Sequence, residues 1–117
     1  MSEEKVLESI KETCSGSAGC SLRIKVAAYN LLDYINSNDN YDKIVNSICK
    51  YFNEEYDYKS SLTIPSDEIE YLLSTCCTFL LLGKKNNLDE VGLNPREYNE
   101  KEIVNFFKFA NLINEKF

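Results

Sequence analysis

Residues 41–52 read YDKIVNSICKYF and carry the clearest hydrophobic pattern in the chain. Apolar side chains recur there at intervals of three and four, at Tyr41, Ile44, Val45, Ile48, Cys49 and Phe52. An α-helix turns once in about 3.6 residues, so this spacing places all six side chains on one face. The pattern predicts an amphipathic helix over 41–54, whose apolar face other segments of the chain must cover.

Four further segments repeat the same spacing, and the predicted helices therefore cover 3–14, 21–36, 41–54, 66–83 and 99–116. Four Gly and two Pro are few, which favours a helical protein over a sandwich or barrel. The sequence predicts an all-α protein, a compact bundle of about five helices with no substantial sheet. Because domains usually have about 100–150 residues, we expect residues 1–117 to form one domain.

Capping residues precede several of these segments, including Ser2 and Ser66. Residues 99–102 read NEKE, which resembles a capping box with Asn99 in the place of Ser or Thr. Residues 22–35 carry two apolar stripes, which predicts a central position for that helix. Residues 66–83 are apolar on nearly all sides, and we expect that helix to be the most buried.

The chain has no histidine, which excludes the Ser-His-Asp triad, the Cys-His pair and every metal site that uses histidine. Carboxylates fall mainly in predicted loops and first helical turns, where solvation and the helix dipole account for them. Cys-x-x-Cys spacing does not occur in the sequence. We therefore expect no enzyme activity, no cofactor and no metal site.

The five cysteines divide into two groups. Cys14 and Cys20 flank a Gly/Ser segment that is short enough for a disulfide, and two unlinked thiols at helix ends are the alternative. Cys49, Cys76 and Cys77 lie on apolar stripes, where a free cysteine behaves as a small hydrophobic residue. The first pair is a candidate disulfide, and we expect the other three cysteines in the core.

The net charge is −6 and only two of the thirteen cations are arginines, which disfavours nucleic acid as the main partner. Apolar runs stay far below the ~20 residues of a membrane span. The first five residues, MSEEK, lack the basic and apolar regions of a signal peptide. The sequence predicts a soluble cytoplasmic protein that binds neither membranes nor, as its main activity, nucleic acid.

Aromatic residues provide the candidate interface. Tyr51, Tyr56 and Tyr58 lie close together on an acidic background, and tyrosine is enriched in protein interfaces. A helix cannot turn all three phenylalanines of residues 106–109 inward, so we expect Phe106 or Phe109 to reach a lateral contact or a partner.

These observations favour a small acidic non-enzymatic interaction protein: an adaptor, inhibitor or assembly subunit whose partner is a protein, and a basic protein suits its charge. An origin in a virus or plasmid fits by analogy alone. The surplus of apolar positions predicts a homodimer. The alternative is a helical small subunit of a nucleoprotein complex that contacts RNA or DNA through a lysine patch, with Lys25, Lys84 and Lys85 as candidates.

Overall fold

The computed structural model describes residues 2–14, 21–38, 40–57, 59, 64–82 and 98–116, without the side chains of residues 14, 21–23, 81 and 82. Within these ranges the chain forms five α-helices and no strand. The helices are α1 (Glu3–Cys14), α2 (Ser21–Ser37), α3 (Asp42–Lys50), α4 (Pro65–Leu82) and α5 (Glu100–Lys116). The all-α, five-helix fold is confirmed. The assignment of the whole chain to one domain stays a prediction.

The segment after α3 departs from the predicted helix over 41–54. Residues Tyr51–Glu55 form a π-helical segment that continues α3, and the N–H of Tyr56 donates to the Tyr51 carbonyl five residues earlier, at 2.9 Å. A π-helical turn widens the helix and rotates the side chains that follow it. The sequence pattern did not predict this change of winding.

Polar side chains begin three of the helices. The Ser2 hydroxyl accepts a hydrogen bond from the N–H of Lys5 at 3.3 Å, and the Asn40 side-chain oxygen accepts one from the N–H of Asp42 at 2.9 Å. At α5 the predicted capping box forms between Asn99 and Glu102. These bonds satisfy N–H groups that have no partner within the helix.

The centre of the bundle is α2, against which α1, α4 and α5 pack, while α3 lies against α1 and α5. Its buried side chains are Ile24, Ala27, Ala28, Leu31, Leu32, Tyr34 and Ile35. Five of them form one predicted stripe, at residues 24, 27, 28, 31 and 35. Of the described side chains of the second predicted stripe, at residues 22, 26, 29 and 32, only that of Leu32 is buried, and Tyr34 belongs to neither stripe. The predicted central position of α2 is therefore confirmed. Within the contact between α2 and α4, the Cys76 thiol donates to the Ala28 carbonyl at 3.9 Å.

Among the described side chains, α2 and not α4 contributes the largest share of the core. Five residues of α4 are buried, against seven of α2. The face of α4 that points away from α2 includes Tyr71, which is 54% exposed. Apolar composition alone did not predict this, because it does not show which side of α4 packs against α2.

Candidate functional site

The candidate disulfide lies outside the described residues. Cys20 and the side chain of Cys14 are not among them, so the pairing of these two cysteines stays a prediction. In the part of the chain that the structure describes, no three His, Cys, Asp or Glu side chains converge on a point where they would hold a metal ion.

The other three cysteines are free thiols in or beside the core. Cys49 and Cys76 are buried and Cys77 is half-buried. Burial raises the pKa of all three, and for Cys49 the nearby Lys116 ammonium opposes part of that effect. Because the thiolate is the nucleophilic form, these groups are neutral and weakly reactive near pH 7.

Two of the three candidate tyrosines belong to an aromatic cluster at the end of α3. The ring of Tyr51 lies 4.9 Å from that of Phe52 and 6.1 Å from that of Tyr56, and Phe52 and Tyr56 are 5.3 Å apart. The Lys11 ammonium lies 5.3 Å from the centre of the Tyr51 ring and 2.9 Å from the Glu55 carboxylate. This cluster joins α1 to the π-helical segment.

This arrangement corrects the expected role of the tyrosine segment. Tyr51 is 7% exposed, so most of its surface is already used within the chain. Tyr56 is half-buried, and Tyr58 lies outside the described residues. Tyr51 is therefore placed as a core residue, and an interface role for Tyr56 and Tyr58 stays a prediction.

The phenylalanines of α5 are also placed differently from the expectation. Phe106 and Phe109 are each 1% exposed, whereas Phe107 is 53% exposed. Residues three apart share a helix face, so Phe106 and Phe109 turn to the core together and Phe107 points away. Neither Phe106 nor Phe109 reaches outward, and the side chain of this group that a partner can contact is that of Phe107.

Phe107 borders an open groove of about 580 Å³ between α4 and α5. Both helices pack against α2. The α4 residues that line it are Ser66, Ile69, Glu70, Leu73, Ser74 and Cys77; those from α5 are Phe106, Phe107, Ala110, Asn111 and Asn114.

The groove has an apolar floor and a polar rim. Ile69, Phe106 and Ala110 are buried and form the floor, while Leu73 and Cys77 are half-buried on the α4 wall. The remaining lining side chains are exposed, and all of them except Phe107 are polar or charged. An apolar floor with a polar rim is the general composition of a binding surface.

A second, more open concavity of about 610 Å³ lies at the start of α3, where Asn40, Asp42 and Lys108 are among the lining residues. The side-chain oxygen of Asn40 already accepts the N–H of Asp42 there. Of the candidate lysine patch, Lys25 is half-buried on α2, and Lys84 and Lys85 lie outside the described residues. The lysine patch therefore stays a prediction.

None of the helices in the described ranges has both the length and the hydropathy that crossing a membrane requires. Comparison with known proteins found no family whose sequence model matches the chain. No curated protein and no solved structure matches it either.

Proposed function

We propose that this chain is a small acidic, non-enzymatic helical protein that acts through protein–protein contacts, as an adaptor, inhibitor or assembly subunit. The observation that carries the proposal is the open groove between α4 and α5, with its buried apolar floor and exposed Phe107. Grooves between helices receive apolar side chains of partner proteins, and a few buried contacts usually supply most of the binding energy.

Phe107 is the residue on which the proposal rests most directly. About half of the Phe107 side chain is exposed to water beside the apolar floor of the groove. A partner that covers this side chain removes apolar surface from water, which favours binding. Its ring already contacts Phe106, with centroids 5.6 Å apart, which restricts its motion before any partner binds. A restricted aromatic side chain loses little entropy on binding and is a suitable anchor.

The absence of catalysis is part of the same proposal. The sequence supplies no histidine, and burial raises the pKa of the three described free thiols, which disfavours a thiolate nucleophile. Asp67 and Glu68 lie in the first turn of α4 and Glu100 and Glu102 in that of α5, where carboxylates stabilise the helix itself.

We further propose that the protein has a regulatory role in the cytoplasm and associates as a homodimer. The exposed apolar side chains of Ile64 and Val104, which do not line the groove, support self-association. Light scattering at micromolar concentration tests this part separately. A mass of twice 13.5 kDa is expected, and a monomer would remove the dimer from the proposal while leaving the groove untouched.

The test of the main proposal compares two variants with matched exposure. Phe107 and Tyr71 are 53% and 54% exposed, but only Phe107 is in the groove. Tagged wild type, Phe107→Ala and Tyr71→Ala are expressed in the native cell, and captured proteins are quantified. We expect specific partners that Phe107→Ala loses and Tyr71→Ala retains. Equal capture by all three proteins would contradict the proposal.

A further inference from the structure

We infer that the α4–α5 groove recognises a basic amphipathic helix of a partner protein, whose apolar side lies between Leu73 and Phe107 and whose lysine or arginine side chains face Glu70. This inference rests on the proposed function, because it names the kind of partner that the groove accepts. Three observations support the choice of partner: the composition of the groove walls, the charge of α4 and the spacing of the lining residues.

The described lining residues of the groove carry one formal charge, and it is negative. Glu70 is the only ionised side chain among its described lining residues, since Cys77 has a raised pKa and is a neutral thiol near pH 7. Glu70 is exposed and lies beyond the first turn of α4, whose favourable interaction with carboxylates extends over about one turn. The helix dipole therefore does not account for a carboxylate at this position.

The whole of α4 has the same sign. Its 18 residues include Asp67, Glu68 and Glu70 and no lysine or arginine. The lysines of α5 do not line the described groove. A cationic side chain at the rim consequently meets attraction from α4, whereas an anionic one meets repulsion, and such rim charges select partners and speed association.

The spacing of the lining residues favours a helix as the bound element. Ile69, Leu73 and Cys77 follow each other at intervals of four on α4, and Phe106, Ala110 and Asn114 do so on α5. Each row rises about 6 Å per step, which matches the ridge formed by residues four apart on a third helix. A partner peptide that bound as a β-strand would need an exposed sheet edge to pair with, and the described part of the chain has no strand.

A second copy of this chain is the main competing occupant. Each copy has a net charge of −6, so two copies repel each other at long range. A basic helix is attracted by the same field. Charge complementarity therefore favours a basic partner over a second copy in this groove. The same repulsion opposes the proposed homodimer, which requires apolar contacts on another surface to outweigh it.

The experiment uses the full chain, isotopically labelled for amide NMR, and three synthetic peptides of about 18 residues, the length of α4. The first is an amphipathic helix of lysine and leucine. The second has the same composition in an order that removes the apolar face, and the third replaces each lysine with glutamate. We expect the first peptide to shift the amide signals of Leu73, Cys77, Phe107 and Asn111, and to bind at least about tenfold more tightly than the others.

Charge reversal provides the matched control. Glu70→Lys changes one exposed side chain and is expected to weaken the basic helix at least about tenfold and to strengthen the acidic one. Glu70→Gln is expected to reduce the preference without reversing it. Phe107→Ala is expected to weaken both amphipathic peptides, because it removes apolar contact area and leaves the charge unchanged.

Several outcomes would overturn the inference. If the glutamate peptide bound as tightly as the lysine–leucine helix, the charge argument would be contradicted. If the reordered peptide bound as tightly as that helix, the argument that the groove recognises an amphipathic helix would be contradicted. Groove signals that shift with the concentration of the chain alone would identify a second copy as the occupant. Failure of all three peptides would also overturn it, but the proposed function fails only when capture from the cell does not depend on Phe107.

Discussion

Asn99 and Glu102 cap the first turn of α5 reciprocally. The N–H of Glu102 donates to the Asn99 side-chain oxygen at 2.9 Å, and the N–H of Asn99 donates to the Glu102 carboxylate at 3.1 Å. Each side chain thus satisfies a backbone donor that the helix cannot satisfy itself. The pair fixes where α5 begins, and α5 in turn places Phe106 in the core and Phe107 in the groove.

Removal of this cap should destabilise the protein measurably. We expect Asn99→Ala to lower the free energy of unfolding by about 1 kcal/mol, and Asn99→Ser to lower it by much less because serine retains a capping oxygen. Urea denaturation followed by circular dichroism gives both values. An Asn99→Ala variant as stable as the wild type would show that the cap does not contribute to stability.

Tyr51 and Tyr71 test the correction made to the tyrosine segment. Tyr51 is 7% exposed within the aromatic cluster and Tyr71 is 54% exposed. We expect Tyr51→Ala to lower the free energy of unfolding by about 3 kcal/mol, as for other buried aromatic residues, and Tyr71→Ala to change it by less than about 0.5 kcal/mol. Similar small losses in both variants would place Tyr51 at the surface instead.

The stability of the protein should fall at high pH because of Cys76. The ordinary pKa of a cysteine is 9.0, and burial raises that of Cys76 in the folded state. Below pH 9 both states hold the proton, so this thiol adds no pH dependence. Above it the unfolded chain loses the proton first, which favours unfolding by about 1.4 kcal/mol per pH unit for one thiol.

The comparison of the wild type with Cys76→Ala isolates this effect from the titration of tyrosines and lysines. Urea denaturation at several pH values from 7 to 11 measures the two slopes. We expect the difference in stability between the two proteins to be constant up to about pH 9 and then to shrink. A constant difference across the whole range would mean that the Cys76 thiol titrates normally in the folded protein.

The two hypotheses for the function differ in whether the chain binds nucleic acid: the nucleoprotein alternative predicts binding and the protein-binding proposal predicts none. With a net charge of −6 and two arginines, the chain should give no shifted band with DNA or RNA at physiological salt in a gel-shift assay. A binding constant that falls steeply with salt would show several lysine–phosphate contacts. That result would restore the lysine patch of Lys25, Lys84 and Lys85 as the main hypothesis.

The sequence predicted the helices well because each has an apolar pattern of its own and several have a start signal. Ser66 was predicted as a cap but lies inside α4, which begins at Pro65. All six apolar residues of the stripe from Tyr41 to Phe52 are buried, and the NEKE sequence forms the predicted capping box. Such features depend on neighbours within one or two turns of the same helix. They can be derived without knowing how the helices pack.

The candidate site was not predictable in the same way. Phe106, Phe107 and Phe109 have the same residue type, and which of them faces outward depends on where α2 and α3 lie against α5. The spacing of Phe106, Phe109 and Ile113 was the available signal, because these three share one face. The groove itself depends on how α4 and α5 each pack against α2, which the pattern within either helix does not show.

The central claim is that the groove beside Phe107 is the protein-binding surface of this chain. Its most direct test is the affinity of the wild type, Phe107→Ala and Tyr71→Ala for the partner that the capture experiment enriches most, measured by isothermal titration calorimetry. The account predicts a loss of at least about tenfold for Phe107→Ala and no more than about twofold for Tyr71→Ala. Equal affinities for all three proteins would contradict it.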